Sequence, residues 1–175
     1  MIISVDKAKT LVDFKDWTDE RILMKLKAVE QVIRAYTNNN FQNRSVRAAG
    51  EVFAEGINCS VPGLKVDDTV QITESKYNNG LYTVLEILDE GIILDAELII
   101  ESSALVTKVE YPADVVDCCL NLLDWEKNHR GKVGIQSETL SRHSVTYFNQ
   151  DSANQVMGYP ASLLGCLKAY RKCRC

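Results

Sequence analysis

Apolar positions recur at steps of three and four near both ends of the chain, and the period shortens toward two in its middle. Ser4 is placed to cap a short helix running to about Phe14, with Val5, Ala8, Leu11 and Val12 on one side. Thr18 is placed to cap a second helix, with Asp19 and Glu20 in its first turn, where the helix dipole favours acid. Its apolar residues are Ile22, Leu23, Leu26, Val29, Val32, Ile33 and Tyr36, a stripe broad enough to pack on more than one neighbour. The run Thr37-Asn38-Asn39-Asn40 stops it, because Asn tolerates the left-handed conformation.

From about Ser45 the pattern reads as strands. Val52-Phe53 and Ile57 through Val61 open the set, and Val70 and Ile72 alternate with Thr69, Gln71 and Thr73. Asn79-Gly80 precedes the run Leu81 to Leu88, and Asn-Gly between two such runs predicts a tight hairpin with positive φ at both residues. Asp89-Glu90-Gly91 predicts a turn into Ile92-Ile93-Leu94, and Leu98-Ile99-Ile100 and Leu105-Val106 are further short strands. Close strands with tight turns predict a small antiparallel barrel or sandwich. Leu81 to Leu88 is apolar on both faces, so one face is expected inside and the other against something else.

Helical order returns at Pro112, a good first-turn residue, and Val115, Val116, Cys119, Leu122, Leu123 and Trp125 carry the apolar side to about Asn128. Gly131 and Gly134 break it. Ser137 to Ser141 and Arg142 to Phe148 form a hairpin or extended arm with Leu140, Val145 and Tyr147 as its apolar positions. Asn149 to Gly158 is polar and turn-rich, read as a mobile loop. Pro160 is expected to open a last short helix carrying Leu163, Leu164, Leu167 and Tyr170. The fold class expected is α+β: a helical domain of residues 1–44 and 111–175, interrupted by a β module over 45–110.

Composition narrows the class. In 175 residues, 46% are hydrophobic and 25% charged, which excludes a disordered or collagen-like chain. No run approaches the length of a membrane span, so no membrane partner is expected. Met1 to Val5 runs directly into Asp6 and Lys7, which leaves no apolar signal core and predicts a reducing compartment. The formal charge of −4 is distributed unevenly. Residues 1–44 carry +2, residues 45–110 carry −8, residues 111–167 carry −2, and the last eight residues carry +4. Two surfaces with different partners are expected.

Candidate chemistry is sparse. The cysteines Cys59, Cys118, Cys119, Cys166, Cys173 and Cys175 include no C-x₂-C pair, so neither structural zinc nor another metal is expected. Cys119 reads as a small core residue. His129 lies in a polar helix end beside Lys127 and Arg130, as a solvated histidine does, and His143 lies on the arm. No Gly-rich phosphate loop opens a helix, so no nucleotide cofactor is expected. The carboxylates of the middle segment flank turns. Asn43-Arg44-Ser45 and Asn58-Cys59-Ser60 match the glycosylation pattern, which requires secretion. No convergent polar cluster marks an enzyme.

Several pieces in order carry a resemblance. They are the N-terminal helix pair, the helix opened by Tyr111-Pro112, and Ser137-Glu138-Thr139-Leu140-Ser141 running into Ser144-Val145-Thr146-Tyr147. Gly158-Tyr159-Pro160 and a last helix ending Tyr170-Arg171-Lys172 complete the series. Together they resemble the head–tail connector (adaptor) proteins of long-tailed bacteriophages, over about residues 1–44 and 111–172. The segment Val70 to Val84 is similar to a β insertion found in some phage structural proteins. The resemblance implies a virion structural protein and not an enzyme. It would form a ring with copies of itself, expected to be twelvefold, joining the portal to a stopper or tail-completion protein, with DNA crossing the lumen unbound. An acidic lining would suit such a channel, because phosphate affinity grows with each Lys or Arg contact. Such a protein would be made in the bacterial host cytoplasm and reside at the head–tail interface of the virion.

Two site expectations follow. Leu163, Leu164, Leu167 and Tyr170, beside Lys168, Arg171, Lys172 and Arg174, would dock the portal as an amphipathic helix; the alternative is a tail folded onto its own core. The arm residues Leu140, Arg142, His143, Val145 and Tyr147 would meet a ring neighbour or the stopper by strand addition, or else form an ordinary hairpin. A different function class stays open as well: a small SH3-like barrel recognising peptide or nucleic acid. A third, a thiol or metal enzyme, requires a reactive cysteine or a stoichiometric metal.

Overall fold

The structure is a computed structural model and describes residues 1–14, 16–132, 137–140, 143–146 and 154–173. The chain is α+β and divides into two units, Met1–Ser4 with Asn40–Tyr111 and Val5–Asn39 with Pro112–Cys175. The first four residues thus belong with the strands. The Met1 amino group hydrogen-bonds Thr69 Oγ1, and that hydroxyl donates back to the Met1 carbonyl at 2.8 Å.

The β unit is a closed antiparallel barrel. Its strands are β1 (Gln42–Phe53), β2 (Gly56–Asn58), β3 (Thr69–Thr73), β4 (Gly80–Ile87), β5 (Ile92–Leu94) and β6 (Glu101–Val109), in the order β1-β2-β5-β4-β3-β6. β6 returns to β1 through pairs such as Ala48↔Val106, so no edge is left open. Val52, Ile57, Val70, Ile72, Val84, Ile92 and Val106 fill the interior. The twelve-residue β1 starts earlier than the sequence pattern predicts. Its first half has few large apolar residues. It becomes a strand because β6 supplies partners, across two register breaks that let it curve.

The expected hairpin forms, since β3 and β4 pair antiparallel, but its tight Asn79-Gly80 turn does not: neither residue has positive φ, whereas Glu74 does (φ 57°). The β3–β4 connection is a longer loop organised by the Glu101 carboxylate. That carboxylate accepts from Ser75 Oγ (2.8 Å), the amides of Lys76 (2.9 Å) and Tyr77 (2.8 Å), and Asn78 Nδ2 (2.8 Å). Asn78 also bridges to the Ile99 backbone in both directions, at 2.7 and 2.9 Å. Local turn propensity loses to this set of tertiary hydrogen bonds. Leu98–Ile100, expected as a strand, lies instead in the irregular β5–β6 connection, which Asn78 ties to that loop. The turn at Asp89–Gly91 forms, with Leu88 N donating to Gly91 O at 2.8 Å. Val84 faces the core, but a bulge follows it, and Leu85 (53%), Ile87 (44%) and Leu88 (43%) are exposed.

The helical unit holds α1 (Val5–Leu11), α2 (Asp19–Thr37) and α3 (Ala113–His129), followed by a 3₁₀ turn at Arg130–Lys132. Thr18 caps α2 as expected, its hydroxyl accepting from Arg21 N at 3.4 Å, and Asn38 ends the helix in the left-handed conformation (φ 49°). Ile22, Leu26, Val29 and Ile33 of α2, and Val115, Cys119, Leu122 and Leu123 of α3, are buried. Beyond α3, β7 (Ser137–Leu140) pairs with β8 (His143–Thr146), and β9 (Gln155–Val156) pairs with β10 (Tyr159–Pro160). Pro160 therefore lies in a strand and opens no helix. The tight turn with two positive φ values occurs here, at Met157 (52°) and Gly158 (80°). The expected last short helix is a 3₁₀ helix that starts later, at Gly165–Tyr170.

Candidate functional site

The site begins at the C-terminal end of α2. Thr37 Oγ1 donates to the Ile33 carbonyl at 2.7 Å, and Asn38 turns the backbone. The chain's tail crosses this helix end and is tied there by main-chain groups. Lys172 N donates to Thr37 O at 2.8 Å, Asn38 Nδ2 to Cys173 O at 3.0 Å, and Asn39 Nδ2 to Tyr170 O at 3.3 Å. The Tyr170 hydroxyl lies 2.7 Å from both carboxylate oxygens of Asp114, in the first turn of α3, and this hydrogen bond raises its hydroxyl above the ordinary tyrosine value.

Tail and helix end enclose an open groove of about 510 Å³, lined by Ala35, Tyr36, Asn38, Lys168, Arg171, Lys172 and Cys173. Lys168, Arg171 and Lys172 are exposed, and no carboxylate is among the lining residues. The Arg171 guanidinium lies 5.3 Å from the centre of the Tyr36 ring. Cations here complement the negative end of the α2 dipole and project into solvent. The groove is suited to an anionic or acidic partner surface. A second groove of the same unit, about 360 Å³, has the opposite sign: Asp13, Asp117 and Asp124 line it with Leu11 and Leu120.

The tail expectation is split by the structure. Leu164 and Leu167 are 0% exposed and belong to the core of the helical unit, so they are not free docking anchors. Each such side chain contributes about 2 kcal/mol by burial, and lifting both out costs about 4 kcal/mol before any new contact forms. The apolar half of the expected docking helix therefore folds back. Lys168, Arg171 and Lys172 stay on the surface, with Leu163 and Tyr170 partly exposed. Of the arm, Arg142 and Tyr147 lie outside the described residues, as do the side chains of Leu140, His143 and Val145; Leu140 and His143 are backbone partners.

Glu126 is a functional-looking carboxylate that periodicity does not mark. It is 4% exposed, 2.7 Å from Lys25 Nζ and 2.8 Å from Arg130 Nη2, and hydrogen-bonded to Tyr159. Burial pushes its carboxyl up, but these partners outweigh burial and hold it below the ordinary carboxylate value. Arg130 also lies 5.3 Å from the ring centres of both Trp125 and Tyr159 and donates to Gly158 O at 2.8 Å. The charges of this cluster are paired, and the cluster ties α2, α3 and the β9–β10 hairpin together.

Two buried thiols, Cys59 and Cys119, are held in the protonated form by their surroundings. Burial pushes Cys59 up to about 11, and burial with the nearby Glu30 charge pushes Cys119 up to about 12. Among the described residues, no group of three or more His, Cys, Asp or Glu side chains is placed to hold a metal ion. Among those same residues, no helix is long and apolar enough to cross a membrane. No family model matches the chain, and no curated protein matches it.

Proposed function

We propose that this protein is a ring-forming adaptor of a phage head–tail interface, and that the cationic groove at the end of α2 seats an acidic surface of the portal. The observation that carries the reading is the carboxylate-free rim of Lys168, Arg171 and Lys172, held by a tail whose backbone is tied to Thr37, Asn38 and Asn39. Long-range attraction from three such cations speeds encounter and selects an acidic partner. The charge of the β unit fits the same reading. Residues 1–4 and 40–111 hold twelve carboxylates and five basic side chains, a net of −7. A surface of that sign beside a DNA channel repels phosphate. The helical unit is the connector-like part in this reading, the ring is twelvefold, and the arm of residues 137–148 meets a neighbour or the stopper.

The test is electron microscopy of the purified chain with and without portal, paired with co-sedimentation. Rings or ring arcs on the portal are expected. The triple variant K168E/R171E/K172E is expected to keep its fold and lose co-sedimentation. Undiminished binding by that variant removes the groove from the proposal, and a strictly monomeric chain that ignores the portal removes the adaptor reading.

A second reading, a barrel that recognises its own partner, is favoured by the exposed Leu85, Ile87, Leu88, Ile99 and Ile100 on a module with a separate core. In that reading the chain stays monomeric and binds a peptide or nucleic acid, and Leu85→Ser with Ile100→Ser abolishes that binding.

A further inference from the structure

Two thiols from distant parts of the sequence meet on one carbonyl oxygen. Cys118, on α3, is 1% exposed, and its Sγ donates to Leu163 O at 3.3 Å. Cys166, the second residue of the terminal 3₁₀ helix, is exposed, and its Sγ lies 3.7 Å from the same oxygen. Sharing one acceptor oxygen makes the two sulfurs neighbours. Cys59 and Cys119 are buried and lack an exposed thiol neighbour of this kind among the described residues.

We propose that Cys118 and Cys166 are a reversible disulfide site, oxidised by a low-molecular-weight disulfide such as oxidised glutathione. Cys166 is the entry point, because that residue is exposed and Cys118 is buried. The Cys166 thiolate attacks one sulfur of glutathione disulfide. That S–S bond breaks, the first glutathione thiolate leaves and takes up a proton, and Cys166 carries a mixed disulfide. The Cys118 thiol then loses its proton to solvent, and its thiolate attacks Cys166 Sγ. The second glutathione leaves as thiolate and is protonated. The protein dithiol has given up two protons and two electrons, and one glutathione disulfide has become two glutathione thiols.

The new bond would tie the terminal 3₁₀ helix to α3. Leu164 and Leu167 would be fastened in the core, and the segment bearing Lys168, Arg171 and Lys172 would be held from its N-terminal side. The closed loop is long, the case in which a cross-link removes most freedom from the unfolded chain. Burial, and then the neighbouring Cys166, oppose ionisation of Cys118, so the second step is the slow one and quickens as pH rises.

The experiment uses the full chain carrying Cys173→Ser and Cys175→Ser, which removes the competing terminal thiols. It is treated with oxidised glutathione at mildly alkaline pH, alkylated, and mapped without reduction by mass spectrometry. A peptide pair linked through Cys118 and Cys166 within one chain is expected. So is a rise in melting temperature that dithiothreitol reverses. Adding Cys166→Ser should abolish both, and adding Cys118→Ala should trap glutathione on Cys166. A stable mixed disulfide on Cys166 with Cys118 still alkylable, a link between two chains, or a Cys166 that stays a free thiol would each overturn the proposal.

Discussion

Glu126 on α3 and Lys25 on α2 meet at 2.7 Å, with the carboxylate side chain 2% exposed and the ammonium side chain 27% exposed. The pair is half-sunk. The acid is inside, and its base keeps contact with water. Removing the acid's charge leaves Lys25, Arg130 and Tyr159 with a poorer acceptor. Glu126→Gln is expected to destabilise the chain by about 1–3 kcal/mol, read from urea unfolding. The sign of the pH effect follows from the depressed carboxyl. A group with a lowered folded value stabilises at pH above its unfolded value and loses that contribution as pH falls through the folded one. Wild type should thus lose stability below the ordinary carboxylate range, with a smaller loss in Glu126→Gln. Parallel acid profiles would contradict this assignment.

Asn38 serves both a backbone and a side-chain purpose, and two substitutions separate them. Its left-handed φ of 49° penalises alanine, and its amide holds Cys173 O at 3.0 Å. Asn38→Gly keeps the backbone geometry and loses the amide. Asn38→Ala loses the amide and adds about 1–2 kcal/mol of backbone strain. Hydrogen exchange at the Lys172 amide should quicken in both variants, and global stability should fall more in the alanine one.

The barrel seam between β2 and β5 depends on a missing side chain. A Cβ at Gly56 would sit 1.9 Å from the Ile92 carbonyl oxygen, which neither strand can yield without breaking their pairing. Gly56→Ala is expected to cost about 1–3 kcal/mol or more. Gly131→Ala is the control, since a Cβ there meets nothing within 4 Å and no positive φ is involved. Denaturant midpoints of the two variants should differ clearly, and equal midpoints would defeat the packing argument.

Glu101 should make the β3–β4 loop sensitive to acid. Desolvation works against its charge, but hydrogen bonds from Lys76 N, Ser75 Oγ and Tyr77 N hold its carboxyl below the usual value. The loop's protection is then present above the ordinary carboxylate range and lost as pH falls through the depressed one. Exchange of the Lys76 and Tyr77 amides, compared between wild type and Glu101→Gln, measures it. The variant should look like acidified wild type at all pH values.

Helix α2 was legible because its signals are local. Thr18, the stripe from Ile22 to Ile33, and Asn38 lie within one continuous segment, and each acts on its own neighbours in the chain. β1 was not, since its first half is a strand only when β6 lies beside it. Asn79-Gly80 misled for the converse reason. Glu101, remote in sequence, offers the intervening amides a better acceptor than a two-residue turn would. The tight turn fell instead at Met157-Gly158, where only Gly158 is a turn residue by propensity. In the groove, the basic residues could be named from the tail, but their partners could not. Tyr36, Thr37, Asn38 and Asn39 come to the tail from the far end of α2.

The sequence by itself determined the periodicities, the two ends of α2, the acidic middle and the basic tail, because these depend on side-chain chemistry and near neighbours. Tertiary structure alone decided which apolar residues were spare. Leu164 and Leu167 had the spacing of docking anchors and became core, whereas Leu85 and Ile87 had the look of a buried strand and stayed outside. Burial is a property of how distant segments meet, and spacing along one segment does not contain it.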